Sequence, residues 1–215
     1  MHGGELKTRV APDGRRFFAN ALTEKNARYF LQQRHTENAV LRDFIASPLM
    51  AEVCLATLGE EAYFHFEGFV VKFPTGAGSA DFSWHQDSSY VPKHELPSIT
   101  LWCALDPVDE SNGTIYVLPY SRAGTRELVP HSTLPDTGKV GYFGDDPGIP
   151  AILPAGGIAV FSSLTFHRSG PNTSKGARRA LVVQYSAEPI LTEDGTKPWH
   201  AADPFLKDGQ RVDAA

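Results

Sequence analysis

"SITLWCALDPVDESNGTIYVLPYSR", residues 98–122, is two short runs of β-branched and aromatic residues around a polar turn. Such residues fit a pleated, half-buried surface, and Pro107, Asp109, Asn112 and Gly113 punctuate them. Asn112-Gly113 suits a turn with positive φ, so the stretch predicts strand, tight hairpin turn and strand. The signature continues on both sides, in "AYFHFEGFVVKF" (62–73), "GGIAVFSS" (156–163) and "RRALVVQYSA" (178–187). Ahead of them the pattern changes. Residues 22–59 read as helical, with Phe30, Leu31, Val40, Leu41, Phe44 and Ile45 near helical spacing. "SPLMAEVCLATLG" (47–59) predicts a short helix with Ser47 as its cap, Pro48 in the first turn and Gly59 at its end. Many short strands after a helical leader predict a mainly β (α+β) jelly roll with N-terminal helices packed outside. The expected organisation is one domain over 1–215, with a leader at 22–59 and a jelly-roll core at 62–190.

Composition sets the class. At 215 residues, with 41% hydrophobic and 21% charged residues, the chain suits a single globular core. No apolar run is long enough to span a bilayer, so no membrane partner is expected. The start "MHGGELKTRV" lacks the apolar core of a signal peptide. Cys54 and Cys103 are too few for a disulfide framework and fit a reducing, cytoplasmic setting. The net charge is −5 and no Lys/Arg block stands out, which disfavours a nucleic-acid partner.

"FSWHQDSSY" (82–90) carries the first chemistry. Residues i and i+2 of a strand share a face, so His85 and Asp87 can converge on one cation while Gln86 points away. The triplet alone also fits a solvated strand edge. A third candidate ligand strengthens it. In "LPAGGIAVFSSLTFHRSGPN" (153–172), His167 follows an apolar strand and can project from its end. Two histidines and one carboxylate make the facial set of non-haem Fe(II) oxygenases, although zinc takes the same ligands. Eleven residues on, a strand opens with Arg178-Arg179. Alternation lets only one of the two enter the barrel, where a guanidinium fork matches a carboxylate.

"WHQDSSY", "LWCALDPVDESNGTIYVLPYSR" and "FHRSGPNTSKGARRALVVQYS" together resemble the phytanoyl-CoA dioxygenase family of Fe(II)/2-oxoglutarate oxygenases, in the family order, over about residues 66–187. The resemblance implies a double-stranded β-helix, with Fe(II) as metal, 2-oxoglutarate as co-substrate and O2 as oxidant. It implies His85, Asp87 and His167 as iron ligands, and Arg178 as the holder of the 5-carboxylate with Ser169 assisting. Trp102 matches a ring that borders the co-substrate. Gln86 is expected to approach the co-substrate from within the metal motif, and Lys72 is a further candidate to reach it. The implied activity is hydroxylation, or another oxidation, of a C–H bond in a small-molecule substrate, with succinate and CO2 released. The alternative is a jelly-roll protein without catalysis, or a metal-dependent isomerase or hydrolase. Family members usually carry more chain ahead of the first helix. The Gly- and Pro-rich stretch 123–151 is expected to be a lid over the site, with a plain insertion as the alternative. His65 reads as a surface or packed histidine, Arg122 as a candidate for a substrate acid group, and Trp199 and His200 as candidates for the pocket mouth.

Overall fold

The computed structural model describes residues 7–10, 16–19, 28–74, 81–92, 95–134 and 138–212. Three strands come first: β1 (Lys7–Val10), β2 (Arg16–Ala19) and β3 (Arg28–Gln32). Helices α1 (Ala39–Ile45) and α2 (Pro48–Thr57) follow, then β4 (Ala62–Lys72), β5 (Phe82–His85), β6 (Ser98–Ala104) and β7 (Ile115–Leu118). After the short helix α3 (Tyr120–Ala123) come β8 (Ser132–Leu134), β9 (Gly138–Val140) and β10 (Ile149–Pro150). The chain closes with β11 (Ile158–Ser162), β12 (Phe166–Ser169), β13 (Arg178–Ser186), β14 (Asp203–Lys207) and β15 (Gln210–Arg211).

Among the described residues, one sheet runs β1-β2-β3-β4-β13-β6-β11, with β14 added on β4 and β15 on β14, and a second runs β10-β7-β12-β5. All pairings are antiparallel. This is the expected mainly β jelly roll, and strand alternation explains its layers. On β13, Leu181, Val183 and Tyr185 join Ile99, Leu101 and Cys103 of β6 and Phe64 of β4 in a core with Leu41 and Ile45 of α1 and Met50, Ala51 and Cys54 of α2. The helices therefore cover the outer face of the large sheet, and the Tyr185 hydroxyl donates to Ile45 O at 2.6 Å. The alternate residues turn inward. The register pairs Arg178, Ala180, Val182 and Gln184 with Lys72, Val70, Gly68 and Phe66 on one side, and Ala180, Val182 and Gln184 with Ala104, Trp102 and Thr100 on the other.

Two local expectations are corrected. Phe30 and Leu31, read as helical, lie in β3 and pair with Val70 and Phe69 of β4. Their β-branched and aromatic partners satisfy them as a strand, and tertiary pairing overrides a weak local pattern. The helical leader thus begins after β3, and its residues 22–27 lie outside the described ones. Asn112-Gly113 does make a turn with Gly113 at φ 79, capped by Asp109, but not a hairpin. β6 and β7 never pair, because the turn carries the chain from the large sheet to the small one. Ser47 occupies the cap position of α2 without a side-chain bond, whereas Pro48 takes the first turn and Gly59 ends the helix at φ 100.

Candidate metal centre and co-substrate pocket

His85 ends β5 and lies opposite His167 of β12 in the small sheet. Gln86 is extended, and Asp87 opens a short 3-10 turn, so Asp87 faces back toward the two imidazoles. The three groups offer ligand atoms within 4.8 Å of one another. Oδ1 of Asp87 is 3.4 Å from Nε2 of His167 and 3.7 Å from Nε2 of His85. Each histidine is oriented from behind. Nδ1 of His85 lies 2.7 Å from Ser83 O, and Nδ1 of His167 lies 3.1 Å from Thr165 O. A carbonyl only accepts, so each Nδ1 carries the proton and each Nε2 presents its lone pair to the shared point.

The carboxylate is aimed as well. Its Oδ2 accepts from Thr100 Oγ1 at 2.6 Å and from Gln184 Nε2 at 3.0 Å. That leaves Oδ1 for the imidazoles. Burial raises the Asp87 carboxyl, but His167, His85 and Thr100 outweigh it and hold the group well below the ordinary carboxylate range. Burial and the neighbouring His167 push the His85 imidazole down to about 3. Burial also opposes charge on His167, yet the adjoining Asp87 carboxylate lifts its pKa above the ordinary value. Phe161 and Tyr90 wall the pair, with ring centroids 4.7 Å from His167 and 5.6 Å from His85 respectively.

Deeper in the barrel lies a second polar group of residues. Arg178 is buried, its Nη2 donating to Gly113 O at 3.0 Å and its Nη1 to Val70 O at 3.3 Å. Its Nε is buried with no hydrogen-bond partner among the described residues. Its Cζ stands 5.3 Å from the Trp102 ring centroid, and burial lowers its pKa to about 10. Lys72, opposite Arg178 in the register, is fully buried and donates to Ser169 Oγ at 2.8 Å and to Gly170 O at 2.5 Å. Arg179 turns outward and holds Asp106 through two guanidinium nitrogens. A buried guanidinium with an unfilled donor, beside a lysine and a hydroxyl, suits a carboxylate. Gly113 closes this floor. A Cβ there would stand 2.8 Å from Gly170 O and 3.2 Å from Lys72 Cδ.

The other candidates divide. Gln86 does not turn to the co-substrate pocket. Its Nε2 donates to Glu127 O at 2.9 Å and Leu164 O at 2.7 Å, and its Oε1 accepts from Val129 N at 3.1 Å. Alternation points it away from its neighbours, into the 125–131 segment. Arg122, a candidate for a substrate acid group, is paired with Asp146 through two nitrogens. Lys72, a candidate to reach the co-substrate, is internal. His65 is buried on β4 at a bulge, 5.4 Å from the His200 ring, and among the described residues neither of its ring nitrogens has a hydrogen-bond partner. The described residues of 123–151, which exclude 135–137, are more structured than a plain loop. β8 and β9 pair with each other, Gly141 N donates to Trp84 O at 2.9 Å, and β10 joins β7. Thr100 and Gln184 escaped the sequence reading. The signal for them was the two-residue period itself, since Gln184 lies three full periods from Arg178 and Thr100 one from Trp102.

The family model described as phytanoyl-CoA dioxygenase matches residues 3–180. A probable alpha-ketoglutarate-dependent hypophosphite dioxygenase of Stutzerimonas stutzeri is 28% identical over 167 residues, covering 73% of this chain and 56% of its own. The peroxisomal phytanoyl-CoA dioxygenase of Mus musculus is 28% identical over 131 residues, covering 56% of this chain and 38% of its own. The chain spans about half the length of the curated relatives it matches, or less. Among solved structures, the non-heme alpha ketoglutarate dependent carbocyclase SnoK of nogalamycin biosynthesis superposes with a TM-score of 0.65 at 21% identity, over 89% of this chain and 78% of that one. EvdO2 of Micromonospora carbonacea var. aurantiaca, solved with 2-oxoglutarate, gives 0.62 at 22% identity, over 92% and 79%. At these identities the structures speak to the fold.

Proposed function

The chain belongs to the phytanoyl-CoA dioxygenase family, and on that premise we propose that it is a non-haem Fe(II)- and 2-oxoglutarate-dependent dioxygenase acting on a small molecule. The observation that carries the reading is the pairing of two sites in one barrel: a His85–Asp87–His167 set within 4.8 Å, and a buried Arg178 whose Nε lacks a partner among the described residues. Both fit the groups the family uses. When bound, Fe(II) with 2-oxoglutarate and O2 supplies the oxidative decarboxylation that releases succinate and CO2 and oxidises a C–H bond.

The chain's own residues do the rest. His85, Asp87 and His167 hold the metal, and a three-residue set leaves open positions for the co-substrate and O2. Ser83 O and Thr165 O keep both imidazoles in the Nε2-ligating tautomer. Arg178 binds the far carboxylate of 2-oxoglutarate, with Ser169 and Lys72 beside it and Trp102 along its flank. Phe161 and Tyr90 shield the metal from bulk water. Beside the strand position of Gln184, the His200 ring packs on His65 at 5.4 Å and on Phe66 at 5.2 Å between centroids.

Metal-free protein given Fe(II) and 2-oxoglutarate under anaerobic conditions tests this. A weak visible charge-transfer band that saturates at one Fe(II) and one 2-oxoglutarate per chain is expected. Metal uptake without that band would favour a hydrolase- or isomerase-type metal protein, and no uptake at all a binding protein.

A further inference from the structure

Gln86 sits between two of the proposed ligands, and its side-chain hydrogen bonds are directed at two other segments. Its side chain is fully buried. One amide proton goes to Leu164 O at 2.7 Å. The next carbonyl along, Thr165 O, is the one that orients His167. The other amide proton goes to Glu127 O, and the amide oxygen takes the Val129 N–H. The Gln86 backbone N–H donates to Nε2 of His131 at 3.1 Å, while Nδ1 of His131 donates to Val129 O at 2.7 Å. One neutral tautomer of His131 satisfies both bonds. Four hydrogen bonds thus tie Gln86 to the turn before His167 and to residues 127–131, and a fifth, from His131 to Val129, braces the latter segment internally.

We propose that Gln86 is a positioning residue that sets the separation of the two ligand-bearing segments and thereby couples metal occupancy to the ordering of residues 127–131. The inference rests on the metal-centre reading above. It goes beyond it by assigning to Gln86 neither metal nor co-substrate but the 127–131 segment. The bonds act in both directions. A metal that fixes His85, Asp87 and His167 fixes Gln86 and Leu164 between them, and so holds the acceptors and donors of Glu127, Val129 and His131. Conversely, a segment held in place lowers the cost of assembling the ligands. Such coupling is reciprocal by thermodynamic linkage. The same segment continues into the β8–β9 hairpin, where Lys139 meets Ser89 O and Tyr90 Oη accepts from Lys139 N. The coupled element therefore borders the metal-binding turn along its length.

The test compares wild type with Gln86→Met, which keeps length and loses every side-chain hydrogen bond, and with His131→Phe, which keeps a ring against Phe166. Hydrogen–deuterium exchange of the Val129 amide is followed with and without Fe(II) plus 2-oxoglutarate, anaerobically, alongside Fe(II) affinity and the charge-transfer band. Loading is expected to slow Val129 exchange in wild type and to have little effect on it in Gln86→Met. The expected loss of Fe(II) affinity in Gln86→Met is about 10- to 100-fold, the scale for groups behind metal ligands, with a smaller loss in His131→Phe. If Gln86→Met fails to fold, His131→Phe carries the same comparison. Unchanged Fe(II) affinity and unchanged Val129 protection in the variants, against a wild type that binds metal, overturn the inference alone. A wild type that takes up no Fe(II) overturns the metal-centre reading, and the inference with it.

Discussion

Nε2 of Gln184 lies 3.0 Å from Oδ2 of Asp87, and Thr100 Oγ1 lies 2.6 Å from the same oxygen. Gln184 also donates to Thr100 at 2.9 Å, so strands β13 and β6 grip one carboxylate oxygen together. The other oxygen is left facing both imidazoles. Rotation of this carboxylate would exchange the two oxygens and lose that arrangement.

Thr100→Val and Gln184→Leu are therefore expected to weaken metal binding, each by about tenfold, with little loss of fold. Both replace polar groups by apolar ones of similar size on strands whose other contacts remain. Metal titration of the two variants and of the double variant checks this. Equal affinity in all four proteins would show that Asp87 needs no such support.

Arg178→Lys keeps a cation but loses the planar fork and its bonds to Gly113 O and Val70 O. The expected cost to 2-oxoglutarate affinity is about 1.5–3 kcal/mol, the scale of a charged hydrogen bond. Arg179→Ala removes only an exposed pair with Asp106 and is expected to leave 2-oxoglutarate binding unchanged. Equilibrium binding to the metal-loaded protein separates them. The reverse ranking would place the co-substrate elsewhere.

Much of this was legible because strand period and side-chain chemistry coincide. The H-x-D spacing brought His85 and Asp87 to one side, and Arg178 and Arg179 parted as alternation requires. The jelly roll followed from strand runs with Gly and Pro between them. What failed was partner choice. Asn112-Gly113 announces a turn but not which sheet receives the next strand, and here the turn crosses to the other one. Phe30 and Leu31 look helical in isolation and become a strand because β4 offers them an edge. Gln86 was assigned by proximity in sequence, whereas its neighbours in space come from 41 to 78 residues away. Lys72 shows the same effect. A lysine in a strand is ordinarily exposed, and only the closing of the barrel brings Ser169 and Gly170 around it.

The two cysteines give a pH prediction. Burial pushes the thiols of Cys54 and Cys103 up to about 12, in the core between helices and sheet. In an unfolded chain they titrate near ~8.5. A raised folded pKa means the unfolded state loses the proton first as pH rises. Stability is therefore unaffected by these groups below about pH 8 and falls as pH climbs from about 8.5 toward 12. Thiol reagents at pH 8 are expected to label neither cysteine in the native protein and both after denaturation. Rapid native labelling at wild-type stability would contradict the packing of α2 on the sheet.

His65 gives the last prediction, one that needs no substrate. It is 2% exposed, and neither ring nitrogen has a hydrogen-bond partner among the described residues. A buried polar group left unsatisfied costs about 1–3 kcal/mol. Burial and the nearby His200 lower its pKa to about 4. A base whose folded pKa lies below its unfolded value near ~6.5 is neutral in both states at higher pH, and there it has no pH-dependent effect. As pH falls from about 6.5 toward 4, the unfolded chain takes up the proton first, so His65 makes the folded state progressively less stable, by up to about 3 kcal/mol. His65→Phe removes both costs and retains a ring against His200 and Phe66. It is expected to raise unfolding free energy near neutral pH by about 1 kcal/mol and to flatten the acid limb between pH 6.5 and 4. Denaturant unfolding of the metal-free proteins across that range measures both. A residue retained at a cost in stability fits a group kept for binding, and functional sites commonly carry that trade-off. A variant less stable than wild type at neutral pH would mean that His65 is already satisfied in the folded protein, and the case for its being kept for binding would lose its physical basis.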